Sequence, residues 1–511
     1  MACLASACSG GSDNADAPDC CQSDQEIGVD DGSAPDELAS VDPNRVVRLA
    51  MRRSDSFDPF DVVLTEQSAV IVGDLLYDGL TEAVGGVGEL RPGLAERWQA
   101  NENFTTWTFH LRPTLLADRG ISAEHVVKHL SPLTANTAST KRAGAAAVVA
   151  AGLKSVSAVD QNTVVVELLA PNAGLPWVLS GLPFSIVGPS GEPTGDYDVL
   201  SDDANGMILR SALGASSSVP RKVELTWTAT AAEALEALEA GAVDGAVVDP
   251  ASFEAASAQF GAVAEATAAT RFYVMNSRSA TLSDRTARLA VLAALDRNEL
   301  LSVGFSQPDA EVAVAAVDGL SAETFAGFAA DGQCGDVCAF DRVGATRLVA
   351  DIALPRIDLT YSGADQAAMA SAIVAQLSAT GFVAEANQLP ADDLADVIVT
   401  GETDLFGFGW VAPATSIDAV VPPLLTVDSA ANIARFDSVL VAQLLAEAAV
   451  TGDDQERWAL LNAAHRAAMD EALIIPMATS LSMLVRGLGA GWLTVRADGS
   501  IDLETIGSLK E

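Results

Sequence analysis

The chain has 511 residues, 49% of them hydrophobic, with 69 acidic against 29 basic side chains and a formal net charge of −40. That length is too great for one core and predicts domains of ~150 residues each, while the apolar content excludes a chain that is disordered throughout. The acidity excludes a nucleic-acid binder, which needs a Lys/Arg surface against phosphates, and a protein drawn to an anionic membrane.

At the N-terminus, Leu4-Ala5-Ser6-Ala7-Cys8-Ser9-Gly10-Gly11 looks like the end of a bacterial lipoprotein signal, with small residues, then Cys, then Ser and Gly. The charged and apolar stretches that should precede it are missing, so residues 1–8 read as a truncated signal with Cys8 as the lipidated residue. Residues 9–41 are rich in Gly, Ser and Asp, with no Lys or Arg before Arg45, and predict a disordered acidic tether. Arg45 to Ala50 alternates as a strand does, and Ser68 to Leu80 carries Val72, Leu75, Leu76 and Leu80 near helical spacing, with a stop around Gly79. Thr106 to Leu111 and Thr163 to Leu168 alternate again. Between them, the apolar run from Ala143 to Leu153 is too short to span a bilayer, which takes ~20 residues, and predicts a buried or amphipathic helix.

Ala231 to Ala240 predicts a helix ended by Gly241, then a strand over Val243 to Val248. A helix is also expected over Arg285 to Leu295, with Asp296 and Arg297 as a structural charge pair or solvated end. Gln366 to Thr380 places Met369, Ile373, Val374 and Leu377 on one face, with Gly381 as C-cap, and Phe382 to Leu389 follows as a strand. Asp453 opens a long helix, paired with Glu456 three residues on. Strands and helices mixed without a repeat predict an α/β fold.

Several segments, in this order, resemble the extracellular solute-binding proteins of family 5, the oligopeptide-, dipeptide- and nickel-binding proteins of bacterial ABC importers. They are Leu75-Leu76-Tyr77-Asp78-Gly79-Leu80, Leu90-Arg91-Pro92-Gly93-Leu94-Ala95-Glu96-Arg97-Trp98, Trp107 to Arg112 and Ile121 to Val127. Ala237 to Asp244, Phe272 to Asn276 with Arg288 to Arg297, and Asp404-Leu405-Phe406-Gly407-Phe408-Gly409-Trp410 complete the set. The resemblance implies a two-lobed periplasmic-binding-protein-like clamp of type II. Lobe I would comprise residues 42–80, 190–269 and 485–511, with an extra subdomain at 81–189, and lobe II residues 270–484. It implies a monomer outside the cytoplasm, held to the cell membrane by the lipid on Cys8, that captures a peptide or other small solute by hinge closure and presents it to ABC importer permease subunits.

From the same resemblance, Trp410, Phe408, Asn276, Tyr273, Tyr197 and Tyr77 are candidates to line the ligand cleft, with ordinary core packing the alternative for Trp410 and a turn position the alternative for Tyr197. Trp410 follows Gly407-Phe408-Gly409, read as a loop that displays aromatic rings, and Asn276 is also suited to fixing a hinge-side loop. Peptide-binding members place an Asp three residues after this Trp, against the ligand's α-ammonium. Here that position is Pro413, which leaves sugars, modified peptides, metal chelates and other small solutes open, with Asp418 the nearest substitute acid.

Cys3, Cys8, Cys20 and Cys21 crowd the start, whereas Cys334 and Cys338 stand four apart without His neighbours. Zinc is not expected there; a small disulfide loop and two free thiols are the alternatives. His125 and His129 share a helical face, but no Glu completes a metalloprotease motif, and His465 falls on an apolar face with Trp458 and Leu461. No cofactor or metal is expected. Neither a nucleophile elbow nor a Walker A loop is present, so catalysis has no positive support. A secreted surface hydrolase and a sensor of the same fold are the rival readings.

Overall fold

A computed structural model of the chain describes residues 45–84, 88–134, 152–212, 219–305, 313–330, 333–353 and 355–503. The chain opens with β1 (Val46–Arg52), whose Val47, Leu49 and Met51 point into a core. The helix Gln67–Leu76 covers that core and stops before the expected Gly79. The reason is tertiary: the carbonyls of Gly79 and Leu80 accept hydrogen bonds from Leu94 and Ala95 N–H, which draws the segment into an extended path.

A separate small unit follows. The hairpin β2 (Thr81–Val84) and β3 (Glu89–Pro92) leads to β4 (Ala95–Ala100), β5 (Thr106–Leu111), β6 (Leu153–Asp160) and β7 (Thr163–Leu168), and the last four form an antiparallel sheet in the order β4-β5-β7-β6. Trp107, Phe109, Val164 and Val166 alternate inward onto Val126 and Leu130 of the helix Ala123–Leu130. Most of the helix expected over 143–153 lies outside the described residues, but Leu153 itself opens β6, so its end is corrected to strand.

The chain then returns to the first core through β8 (Tyr197–Asp202), β9 (Gly206–Ser211), β10 (Lys222–Thr228) and β11 (Gly245–Val247). The helix Ala231–Glu239 lies between the last two, capped by Thr230, whose side chain accepts from Glu233 N–H. The long β12 (Gly261–Met275) crosses to the second lobe, which holds β13 (Val314–Ala316), β14 (Arg356–Tyr361), β15 (Val383–Gln388) and β16 (Leu405–Val411). There the helix Asp454–Asp470 starts as its spacing predicts, the Asp453 carboxylate accepting from Glu456 N–H at 3.0 Å. The return strand is β17 (Ile474–Arg486), and the hairpin of β18 (Thr494–Val495) and β19 (Ile501–Asp502) packs on the first core.

One sheet unites the lobes in the order β15-β14-β16-β12-β17-β11-β1-β10-β9-β8, with β13 also on β17. Among the described residues only the strands β12 and β17 cross, antiparallel to each other. Their register slips between Ala266 opposite Leu481 and Thr270 opposite Thr479, so residues 267–269 face Ser480 alone. Such a bulge bends and twists a strand. At the far end of β17, Leu484, Val485 and Arg486 pair with Val247, Ala246 and Gly245 of β11.

Candidate functional site

The expected cleft aromatics divide sharply. Trp410 is 3% exposed and sits in the second lobe's core, where its indole N–H donates to the Ala419 carbonyl at 3.1 Å. The expectation of a displayed ring is therefore corrected. Gly407-Phe408-Gly409 is strand, not loop, and pairs residue for residue with Tyr273, Phe272 and Arg271 of β12. Tyr273 is buried and its phenol is raised above the ordinary range by desolvation, while half-buried Phe408 tilts against Phe272 with centroids 5.5 Å apart.

Asn276 is a structural clasp. Its Nδ2 donates to the Gly401 and Thr403 carbonyls at 2.9 and 2.8 Å, and its Oδ1 accepts from Arg278 N–H at 3.0 Å. Asp418 is likewise committed. Its carboxylate accepts from Arg457 Nε at 2.8 Å, Trp458 Nε1 at 2.8 Å and Ser416 Oγ at 2.9 Å, all buried. Gly174 presses on it with no room for a side chain. Burial opposes the Arg457 charge, but Asp418 and Asp454 overcome this and raise the guanidinium's pKa. Asp418 as an amine acceptor is corrected: its acceptor sites are filled within the lobe.

Tyr77 and Tyr197 do line a cavity, of about 270 Å³, at the junction of the lobes. The Tyr197 hydroxyl is spent on the Pro220 carbonyl at 2.9 Å, so its ring serves as wall, and burial raises its pKa. Tyr77 is half-buried, its phenol raised by burial and by Asp58. The rest of the wall comes from the end of the first helix, the β2 hairpin, Ser180 to Leu182, Asp196, the C-terminal hairpin, and Ala268 with Ala412 to Thr415. Pro413 thus stands in the wall, contributing no charge.

The acids of this cavity escaped the sequence. Asp74, Asp78, Glu82, Asp196 and Asp498 line it, with Arg112 and Arg496. Burial, then the Asp498 carboxylate, pushes Asp74 up to about 8; burial, then Asp196 and Glu82, raises Asp78 well above the carboxylate range. Both are half-buried by area because the cavity opens onto them, yet protein surrounds them. In a chain with 69 acids no single one stands out. The available signal was that Asp78 lies inside a segment already singled out, beside Tyr77, and that Asp196 adjoins Tyr197.

The small unit also touches the second lobe. Trp177 Nε1 donates to Asp454 at 3.0 Å, its ring meets Trp458 edge-on at 5.1 Å, and Ala173 N–H donates to the Ala449 carbonyl at 2.9 Å. Cys334 and Cys338 are joined as a disulfide; Cys8, Cys20 and Cys21 lie outside the described residues. His125 caps its helix through Ser122, and His129 packs on Phe60. Buried His465 accepts from Leu320 N–H at 3.1 Å and is pushed down to about 4 by desolvation. Among the described residues no group of three or more His, Cys, Asp or Glu is placed to hold a metal ion, and no helix is long and apolar enough to cross a membrane.

Comparison with known proteins matches residues 89–210 and 214–432 to the family described as "Bacterial extracellular solute-binding proteins, family 5 Middle". HbpA2 from Haemophilus parasuis is similar in structure, with a TM-score of 0.74 at 19% identity over 90% of this chain and 100% of that one. The unliganded open form of the periplasmic murein tripeptide binding protein MppA gives 0.73 at 19% identity over 93% and 98%. DppA from Helicobacter pylori, in complex with the peptide STSA, gives 0.64 at 18% identity over 91% and 97%. At these identities the likeness is one of fold. No curated protein matches the chain.

Proposed function

The chain belongs to the bacterial extracellular solute-binding proteins of family 5, and from that premise we propose that it captures a small solute, a peptide or another, outside the cytoplasm and delivers it to the permease of an ABC importer. The observation that carries the reading is the cavity at a junction crossed, among the described residues, by the strands β12 and β17 alone, with the three-against-one bulge beside it. Two strands with a bend form a joint on which two rigid bodies can swing. A solute that touches Ala412 to Thr415 on one side and Tyr77 to Gly79 on the other binds the closed arrangement better than the open one. That difference is what shifts the populations. Cys8 is the residue proposed to carry the lipid.

The test is mass spectrometry of whatever co-purifies, followed by small-angle scattering with and without that solute. The expected result is an intact solute, a raised melting temperature and a smaller radius of gyration in its presence. Superimposable scattering curves would refute the hinge, and a solute released in cleaved form would refute the binding role. In cells, Cys8→Ser should release the protein from the membrane fraction.

A further inference from the structure

The charge of the cavity is one-sided. The second lobe lines it with Ala412, Pro413, Ala414 and Thr415, none of them ionisable. The opposite wall carries five carboxylates against two guanidiniums. The two guanidiniums offset the acids only in part: Arg112 also donates to the Pro92 carbonyl at 2.8 Å, and Arg496 is shared between Asp502 at 3.5 Å and Asp74 at 3.9 Å. The Asp78 carboxylate, drawn out of bulk water, has no hydrogen bond or close ion pair among the described residues, and the Arg112 charge offsets its burial and the neighbouring acids only in part. An unpaired carboxylate so placed is destabilising, and it is relieved only by protonation or by an incoming cation.

A second feature has the same sign. The helix Gln67–Leu76 ends at the cavity, since Asp74, Leu75, Tyr77 and Asp78 all line it, and its last turn has no basic side chain. The negative end of a helix dipole therefore adds to the acids. The same acids do not converge as metal ligands do. The complementary group is broader than a bare metal ion and carries several N–H donors.

On the proposed solute-binding role, we infer that this cavity selects a cationic organic solute, its ammonium or guanidinium group held by Asp78 with Asp74 and Asp196, while the second lobe covers the uncharged remainder. The site is then destabilised until it is filled. Asp78→Asn removes an unpaired carboxylate from the empty protein, so it raises the melting temperature of the apo form while weakening the solute. A purely structural Asp78 gives the opposite, a lower melting temperature.

The test uses the full chain, stripped by denaturation and refolding, with matched probes: trialanine against N-acetyl-trialanine, and agmatine against N-acetylagmatine. Mass spectrometry of the co-purified solute runs in parallel. Expected are a cationic solute, stabilisation by at least one free amine and not by its acetylated partner, and a Kd raised about thirtyfold or more in Asp78→Asn, as on removal of one partner of a buried charge pair. A neutral or anionic solute held equally by wild type and Asp78→Asn would overturn the cationic preference and leave the binding role standing. No co-purified solute and no stabilisation by any probe would overturn both.

Discussion

Asp418 offers the sharpest test of which acids are structural. In Asp418→Asn the shape is kept, but the acceptor for Arg457 Nε, 2.8 Å away in the buried pair, becomes a neutral amide. The Arg457 guanidinium, 2% exposed, is left with Asp454 at 2.7 Å, whose side chain is 43% exposed. Removing one partner of a buried pair costs about 3–5 kcal/mol, and the surviving Asp454 contact places this case at the lower end, about 3 kcal/mol. If the second lobe melts as a unit of roughly 200 residues, that lowers Tm by about 6–12 °C. The assay is urea and thermal unfolding followed by tryptophan fluorescence, since Trp410 and Trp458 report on this core. The double variant Asp418→Asn/Arg457→Met should recover much of the loss, because no charge is then stranded. A single variant within about 0.5 kcal/mol of wild type, with solute binding abolished, would refute the structural assignment and return Asp418 to the ligand.

Stability should rise as pH falls from about 8 toward the unfolded carboxyl value of 3.8, because Asp74 and Asp78 bind protons more tightly folded than unfolded. Melting curves of Asp74→Asn/Asp78→Asn should lose that slope, and an unchanged slope would count against buried acids. His465 acts in the opposite sense: its pKa falls from 6.5 to about 4 on folding, so its contribution is present above 6.5 and lost as pH drops toward 4, and His465→Gln should flatten that acid limb. Trp177→Phe should cost about 1 kcal/mol through the lost Asp454 hydrogen bond. Gly181→Ala should loosen the small unit from the second lobe, since its Cβ would run into the Pro413 carbonyl, and limited proteolysis should detect the loosening. Replacing Cys334 and Cys338 by Ser opens a short loop and should cost about 2 kcal/mol, and in the wild type neither sulfur should be alkylated, even in the unfolded chain, until the disulfide is reduced.

Segments that face a core on one side were legible from the sequence alone. Thr106–Leu111 and Thr163–Leu168 have the boundaries that their alternation predicts, because every second residue enters the core around Val126 and Leu130. The helix Ala367–Ala379 also follows its pattern, and Gly381 adopts φ +105°, which only Gly takes freely. What failed depended on distant partners. Gly407-Phe408-Gly409-Trp410 looks like a loop in isolation and becomes strand because β12 pairs along it, continuing from Leu405 and Phe406, which β14 also holds. Asp418 looks like a spare acid until Arg457, 39 residues later, meets it in the fold. The cavity acids come from three separated segments, and their common location exists only after folding.

The division of the cavity wall also divides the work of a hinge. Charge attracts at a distance and acts in the open state, so on the proposed role the acids of the first lobe decide which solute is captured. Closure responds only to contacts that improve when the lobes meet. Those come from Ala412 to Thr415, which offer backbone groups, a hydroxyl and small apolar surfaces. A bulkier residue at Ala414 should therefore reduce the closed fraction at saturating solute while leaving the preference for charge intact. Loss of Asp78 should do the reverse, because the side chains that choose the guest are not those that respond to it.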